Sequence, residues 1–272
     1  MSSFSLRPTA ALLSPYVTGL HFIENDDAPP PELERILPAG RVHLMVNLHE
    51  DEFRLYNGAN FSTIGRTRGA VLEGATSSAR VIDTGLQRCL VSVDFTLGGA
   101  AAFFDMPISE ANDALVELEI LWGAGGASLR SRLLEAPTPM AKLRVLESVL
   151  LQHVVGEGVD VAIPCAASLL ERGVPVKEVA SRVGLLPKTL LRRFSARVGL
   201  TPKRYARVRR LQRVLGAVCD TGDIDWCDVA ATHGYVDQAH LVHEFRELTG
   251  ITPTAYRARS SEGRNHVPVI DP

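Results

Sequence analysis

The chain has 272 residues, 46% of them hydrophobic and 22% charged, with 29 Lys and Arg against 31 Asp and Glu. That balance excludes a disordered or fibrous polymer and leaves room for more than one folded core. Residues 1–159 hold 12 basic against 19 acidic side chains, whereas residues 160–260 hold 16 against 10, a division that points to a nucleic-acid partner for the back half.

In chain order, the first twenty residues contain Pro8, Pro15, one arginine and only a short apolar run at 10–13, unlike a secretory leader. No run later in the chain approaches the ~18 apolar residues of a membrane span, so a cytoplasmic location is expected. Short apolar runs bounded by Gly, Pro, Asn and Asp follow at 41–48, 52–56, 70–73, 79–82 and 89–95. Their spacing predicts an all-β barrel or sandwich. In the first run Val42, Leu44, Val46 and Leu48 form one face, while Arg41, His43, Met45 and Asn47 form the other. Such a polar face inside a barrel would give a concave site the few polar groups that orient a ligand, so these four are the candidate effector-binding residues. Gly65 to Gly69 reads as a basic hairpin tip.

After Gly98-Gly99 the pattern turns helical, at 100–104, 112–122 and 142–153. The last of these places Leu143, Leu146, Val149 and Leu150 on one stripe. That is more apolar surface than a solvent-facing helix needs, so it packs on its own barrel or forms the seam of a homodimer. Gly156-Glu157-Gly158 then breaks the chain, giving a front domain at 1–156, a back domain at 159–260 and a flexible tail at 261–272.

Within the back domain one pattern is written twice. Val179-Ala180, Gly184, Leu190, Phe194, Gly199, Thr201-Pro202 and Tyr205 return as Val229-Ala230, Gly234, Leu241, Phe245, Gly250, Thr252-Pro253 and Tyr256. Each copy predicts a helix-turn-helix: a small alanine for close helix approach, a glycine at the helix end, an amphipathic second helix, then threonine as cap with proline at the next helix start. On the first such helix Lys188, Leu191 and Arg192 lie opposite Leu190 and Phe194; on the second Gln238, Ala239, Val242 and His243 lie opposite Leu241 and Phe245. Those are the candidate base-reading residues, because Lys, Arg and Gln match guanine and adenine edges while apolar side chains touch the thymine methyl. Arg193, Arg197, Lys203, Arg204, Arg209 and Arg246 are the candidate phosphate contacts. The basic residues crowd into the first unit, which is therefore expected to supply most of the affinity.

Gly234 to Leu241, Phe245-Arg246, Gly250, Thr252-Pro253 and Tyr256-Arg257 resemble the signature of the AraC/XylS family of bacterial transcriptional regulators, over roughly residues 160–259. The resemblance implies seven helices, with two helix-turn-helix units joined by a long helix at 203–218, and a front domain of β-barrel, often cupin, type. At 1.5 Å per residue that linker is about 24 Å long, enough to set two reading helices into successive major grooves. Leu186 departs from the family's capping serine or threonine, and Leu191 from its polar reader. The fold class expected is thus α+β and multi-domain, with a cupin-like β-barrel in front and an all-α domain behind. The expected partners are double-stranded DNA, a small-molecule effector, RNA polymerase and a second copy of the chain; no cofactor is expected. The competing reading is a cupin-like metal-dependent enzyme tethered to DNA. Against it, His43 and His49 stand six apart rather than two, Glu50 and Glu52 fall in a turn, and Cys89, Cys165, Cys219 and Cys227 form no ligand pair.

Overall fold

The computed structural model describes residues 2–25, 33–155, 160–219, 224–260 and 263–269. The front half is built from β1 (Ser2–Leu6), β2 (Val17–Glu24), β3 (Leu33–Ile36), β4 (His43–Asn47), β5 (Glu52–Tyr56), β6 (Thr63–Arg68), β7 (Ala70–Glu73), β8 (Arg80–Asp83), β9 (Cys89–Phe95) and β10 (Leu115–Glu117), then α1 (Leu118–Trp122), α2 (Ala124–Glu135) and α3 (Pro139–His153). The back half is α4 (Ala162–Glu171), α5 (Val176–Arg182), α6 (Pro187–Val198), α7 (Pro202–Val218), α8 (Trp226–Thr232) and α9 (Gln238–Thr249), closed by β11 (His266–Pro268).

The expected barrel is instead two open antiparallel sheets, ordered β1-β2-β9-β4-β7-β10 and β11-β3-β8-β5-β6, with no pairing between them among the described residues. Alternation along the strands decides what each face meets. Leu44, Val46, Val91 and Val93 turn to one side of the larger sheet and are fully buried in the main core. That core also takes Leu143, Leu146, Val149 and Leu150 of α3, all fully buried. The α3 stripe is therefore satisfied within its own subunit, which removes it as a homodimer seam.

Three further local expectations change. Of the basic segment at 65–69, all but Gly69 lies in strand β6, paired with β5 from Glu52↔Arg68 to Tyr56↔Thr63. The helix expected at 112–122 begins as strand β10, because Leu115 to Glu117 find the free edge of β7. The tail expected to be free beyond 261 includes β11, which pairs with β3 and buries Val267. The boundary expected at 156–158 lies outside the described residues.

Candidate nucleic-acid interface and intersheet cavity

The repeat folds as two helix-turn-helix units, α5–α6 and α8–α9, joined by α7. Gly184 and Gly234 turn the chain after the first helix of each unit, and Gly199 and Gly250 end the second, all with positive φ between 69° and 89°. Only glycine takes that backbone without strain. Asp237 caps α9, accepting from His240 N at 2.7 Å, and Thr201 caps α7, accepting from Arg204 N at 3.3 Å. Leu186 occupies the cap position of α6 and offers no side-chain acceptor, so Pro187 alone sets that start. Among the described residues, six α-helices and a 3-10 turn at Pro253–Ala255 stand where the resemblance implies seven helices.

Leu190, Phe194 and Val198 of α6 and Leu241, Phe245 and Leu248 of α9 are buried, so each helix turns its opposite face outward. On that face Lys188, Leu191 and Arg192 are exposed in α6. In α9 Gln238, Ala239 and His243 are exposed and Val242 is half-buried. Gln238, Ala239, Val242, His243 and Arg246 share the rim of one shallow depression. Leu186 and Val236, just ahead of the two reading helices, are 74% and 87% exposed.

The candidate phosphate contacts divide. Lys203, Arg204 and Arg246 are exposed. Arg193 instead grips Asp160 in a two-point bond (2.9 and 2.6 Å), Arg197 lies 3.9 Å from the same carboxylate, and Arg209 donates to Glu171 at 2.8 Å. Those three are turned toward the protein. A buried acid explains two more arginines that the sequence left unassigned. Glu244 of α9 is almost fully buried and accepts from Arg207 Nε (2.8 Å) and from Arg210 Nε and Nη2 (2.9 and 2.7 Å). Arg210 also stacks over Tyr235, 4.4 Å from the ring centre. The signal for Glu244 is its place between Leu241, Phe245 and Leu248, where an acid at the edge of an apolar stripe needs a cationic partner.

The second site is a cavity of about 380 Å³ between the two sheets. Arg41, His43 and Met45 line it, with Phe53, Leu55, Ile82 and Leu90 supplying apolar wall. Asn47 does not reach it. Its Nδ2 donates to Glu52 O and Leu86 O, and its Oδ1 accepts from His49 N and Glu50 N, so it is a buried hub for the β4–β5 turn. At the wall, Asp94 lies between His43 (Nδ1 to Oδ1, 3.1 Å) and His21 (Nε2 to Oδ2, 3.3 Å). The close His21 imidazole and then the hydrogen bond with His43 hold the Asp94 carboxyl far below the usual carboxylate range. Burial pulls His43 toward the neutral form, but the bond to Asp94 and the charges of Glu73 and Asp94 outweigh it, leaving its pKa raised. Arg80 lies against the same wall with Nη1 3.0 Å from Glu73 Oε1. That distance makes an ion pair, but its alignment makes no hydrogen bond, and both buried Nη atoms lack a hydrogen-bond partner among the described residues. No group of three or more His, Cys, Asp and Glu among the described residues is placed to hold a metal ion, and no helix among them is long and apolar enough to cross a membrane.

Compared with known proteins, residues 179–259 match the family described as a helix-turn-helix domain. The C-terminal part of this chain is an AraC-type helix-turn-helix domain. Residues 6–117 match a family described as a domain of unknown function. No curated protein matches the chain. Among solved structures it is similar to ToxT from Vibrio cholerae, at 8% identity over 94% of this chain and 98% of that one, with a TM-score of 0.45. It is similar also to wild-type ToxT with an unsaturated fatty acid bound, at 11% identity over 87% of this chain and 92% of that one, with a TM-score of 0.41. The AraC-type domain thus coincides with the doubled units, and the cavity lies outside it, walled by the front half and by Asn265 and His266.

Proposed function

We propose that the chain is a sequence-specific, DNA-binding transcription regulator, with 159–260 as its DNA part and 1–156 as a sensor part that takes a small molecule between its sheets. One observation carries this reading: two equivalent helices, each framed by glycine turns, turn a row of solvent-exposed side chains away from the core. Lys188 and Arg192 on α6 suit guanine edges, Gln238 on α9 suits adenine, and Leu191, Ala239 and Val242 suit thymine methyls. His243 adds ring nitrogens able to hydrogen-bond a base edge. Lys203, Arg204 and Arg246, exposed to solvent, serve as phosphate contacts, which position a duplex without reading it. Arg193, Arg197 and Arg209 serve the fold instead, through Asp160 and Glu171.

The cavity volume falls in the range of small-molecule sites, roughly 300–1,000 Å³, and its apolar wall with a few polar groups is their usual make-up. Arg41, His43 and Met45 belong to that site and Asn47 does not.

The experiment is selection from a random duplex pool with purified protein. The expected result is a motif with two half-sites about one helical turn apart, in which Arg192→Ala degrades one half and Gln238→Ala the other. Equal affinity for every recovered and scrambled duplex would refute the reading.

A further inference from the structure

Past the second helix-turn-helix unit the chain turns back onto the front half. Arg259 N bonds to His266 O, and β11 pairs with β3 from His266↔Ile36 to Pro268↔Glu34. Leu37 N to Asn265 O and Val269 N to Leu33 O, both 2.8 Å, extend the ladder at either end. Beneath it Glu34 is fully buried. Arg259 Nη1 donates to its Oε1, and His266 Nδ1 lies 2.7 Å from its Oε2. A carboxylate removed from water is stable only when paired, so Glu34 selects the docked position of the strap formed by Arg259 and residues 263–269.

The docked strap faces two ways. Asn265 and His266 form part of the cavity wall. Val267 packs into the same core as Leu215 of α7 and Leu241 and Phe245 of the second unit, and Tyr256 OH donates to Arg264 O at 2.7 Å. Gln212 of α7 joins the two sides, donating from Nε2 to Asn265 Oδ1 and to Pro38 O, each at 2.8 Å.

We propose that this strap completes the intersheet cavity, with Asn265 and His266 as positioning residues for its ligand, and that it ties occupancy of the cavity to the second helix-turn-helix unit. The inference rests on reading that cavity as a small-molecule site. A molecule inside touches Asn265 and His266 only while the strap is docked. Its affinity therefore differs between docked and undocked states, and that difference is what moves an equilibrium. By linkage, any change DNA makes to strap docking returns to the cavity as the same factor.

The test uses the full-length chain, anilinonaphthalene sulfonate as a singly anionic, apolar fluorescent probe of the cavity, and duplex DNA recovered by selection. The variants are His266→Ala, Asn265→Ala, a chain ended after Ser260, and Ser92→Trp, which fills the cavity from the opposite wall. The shortened chain and His266→Ala are expected to lose dye affinity by about five-fold or more. Dye saturation should shift the DNA affinity of the wild type by a factor of about five, and that shift should vanish in the shortened chain. If circular dichroism shows the shortened chain unfolded, the two point variants carry both measurements. Ser92→Trp should abolish dye binding; a wild type that binds no dye, or dye retained in Ser92→Trp, overturns the cavity reading and the strap with it. Dye lost in Ser92→Trp but undiminished in the strap variants, or wild-type DNA affinity indifferent to dye, overturns the strap proposal and leaves the cavity standing.

Discussion

Replacing Glu244 by Gln tests whether the second reading helix is held in place by charge. The carboxylate is 5% exposed and receives bonds from two arginines of α7 whose side chains are 25% and 21% exposed. Breaking a fully buried pair destabilises by roughly 3–5 kcal/mol. Here both guanidinium groups keep partial access to water, and the amide oxygen of Gln retains an acceptor, so a loss of about 2–3 kcal/mol is expected. Glu247 provides the internal control. It pairs with the same Arg207 but is 51% exposed, so Glu247→Gln should cost about 0–1 kcal/mol. The assay is urea denaturation at neutral pH followed by circular dichroism, with Arg210→Leu completing a double-mutant cycle against Glu244→Gln. Groups in one network couple by about 0.5–3 kcal/mol. In parallel, the Glu244→Gln protein should lose sequence preference at the half-site read by α9 before it loses general DNA affinity. If Glu244→Gln and Glu247→Gln prove equally mild, or the cycle shows no coupling, the clamp is not what orients α9.

Arg192→Ala should weaken binding to the selected duplex by about 1–3 kcal/mol and relax one base pair, whereas Lys203→Ala should weaken all duplexes alike and lower the salt slope by about one; a binding titration at two salt concentrations separates them. By NMR titration His43 should show a pKa above its ordinary value, and Asp94→Asn should lower it, because Glu73 alone is then left to oppose burial. Since the folded pKa is raised, the stability His43 contributes is complete below about pH 6.5 and declines as pH rises through the folded value; Asp94→Asn should shrink that decline. Gly199→Ala should destabilise more than Gly184→Ala in urea: both sit at positive φ, which costs about 1–2 kcal/mol with a side chain, but the new Cβ at 199 meets Ala75 Cβ at 3.1 Å and Ile108 Cγ2 at 3.2 Å, while the one at 184 meets nothing within 4 Å.

What the sequence made legible was local and periodic. The runs at 52–56, 70–73 and 89–95 match strands to the residue, because alternation and turn residues act over a few positions. The doubled units were readable because glycine and apolar residues recur at helical spacing. Strand β2 escaped notice since Gly19 interrupts its pattern where the register shifts against β9. Strand β6 escaped because an edge strand of Thr, Gly and Arg has the composition of a loop. Asn47 had the right parity for the cavity, but it stands where β4 ends, and the unsatisfied backbone of the following turn claims all its hydrogen-bonding capacity. Nothing local announces that His266 meets Glu34, 232 residues away. Pairing at that separation belongs to the assembled fold.

The charge division carries two meanings, and the structure weighs them. Residues 176–213 hold twelve basic side chains against Glu178 alone, and residues 214–260 hold three against seven acidic ones. Taken as phosphate contacts, twelve cations would give a salt slope near −11, about 0.9 for each phosphate neutralised. Much of that charge is instead matched inside the protein. Arg207 and Arg210 pair with the acids of α9, Arg209 with Glu171, Arg193 and Arg197 with Asp160, and Arg182 with Glu178. Basic α7 and acidic α9 are thus two sides of one internal contact, and part of the asymmetry between the units is docking energy rather than DNA affinity. Lys177, Lys188, Arg192, Lys203 and Arg204 remain exposed with no ion pair among the described residues. If they alone neutralise phosphates, the first unit contributes a slope of about −4 to −5. A titration of wild-type protein against duplex DNA across salt concentrations measures the total, and the five alanine variants apportion it. A slope near −11, or an undiminished slope after Lys203→Ala and Arg204→Ala, would mean that the internal pairs open on DNA and that the acids of α9 are released in the complex.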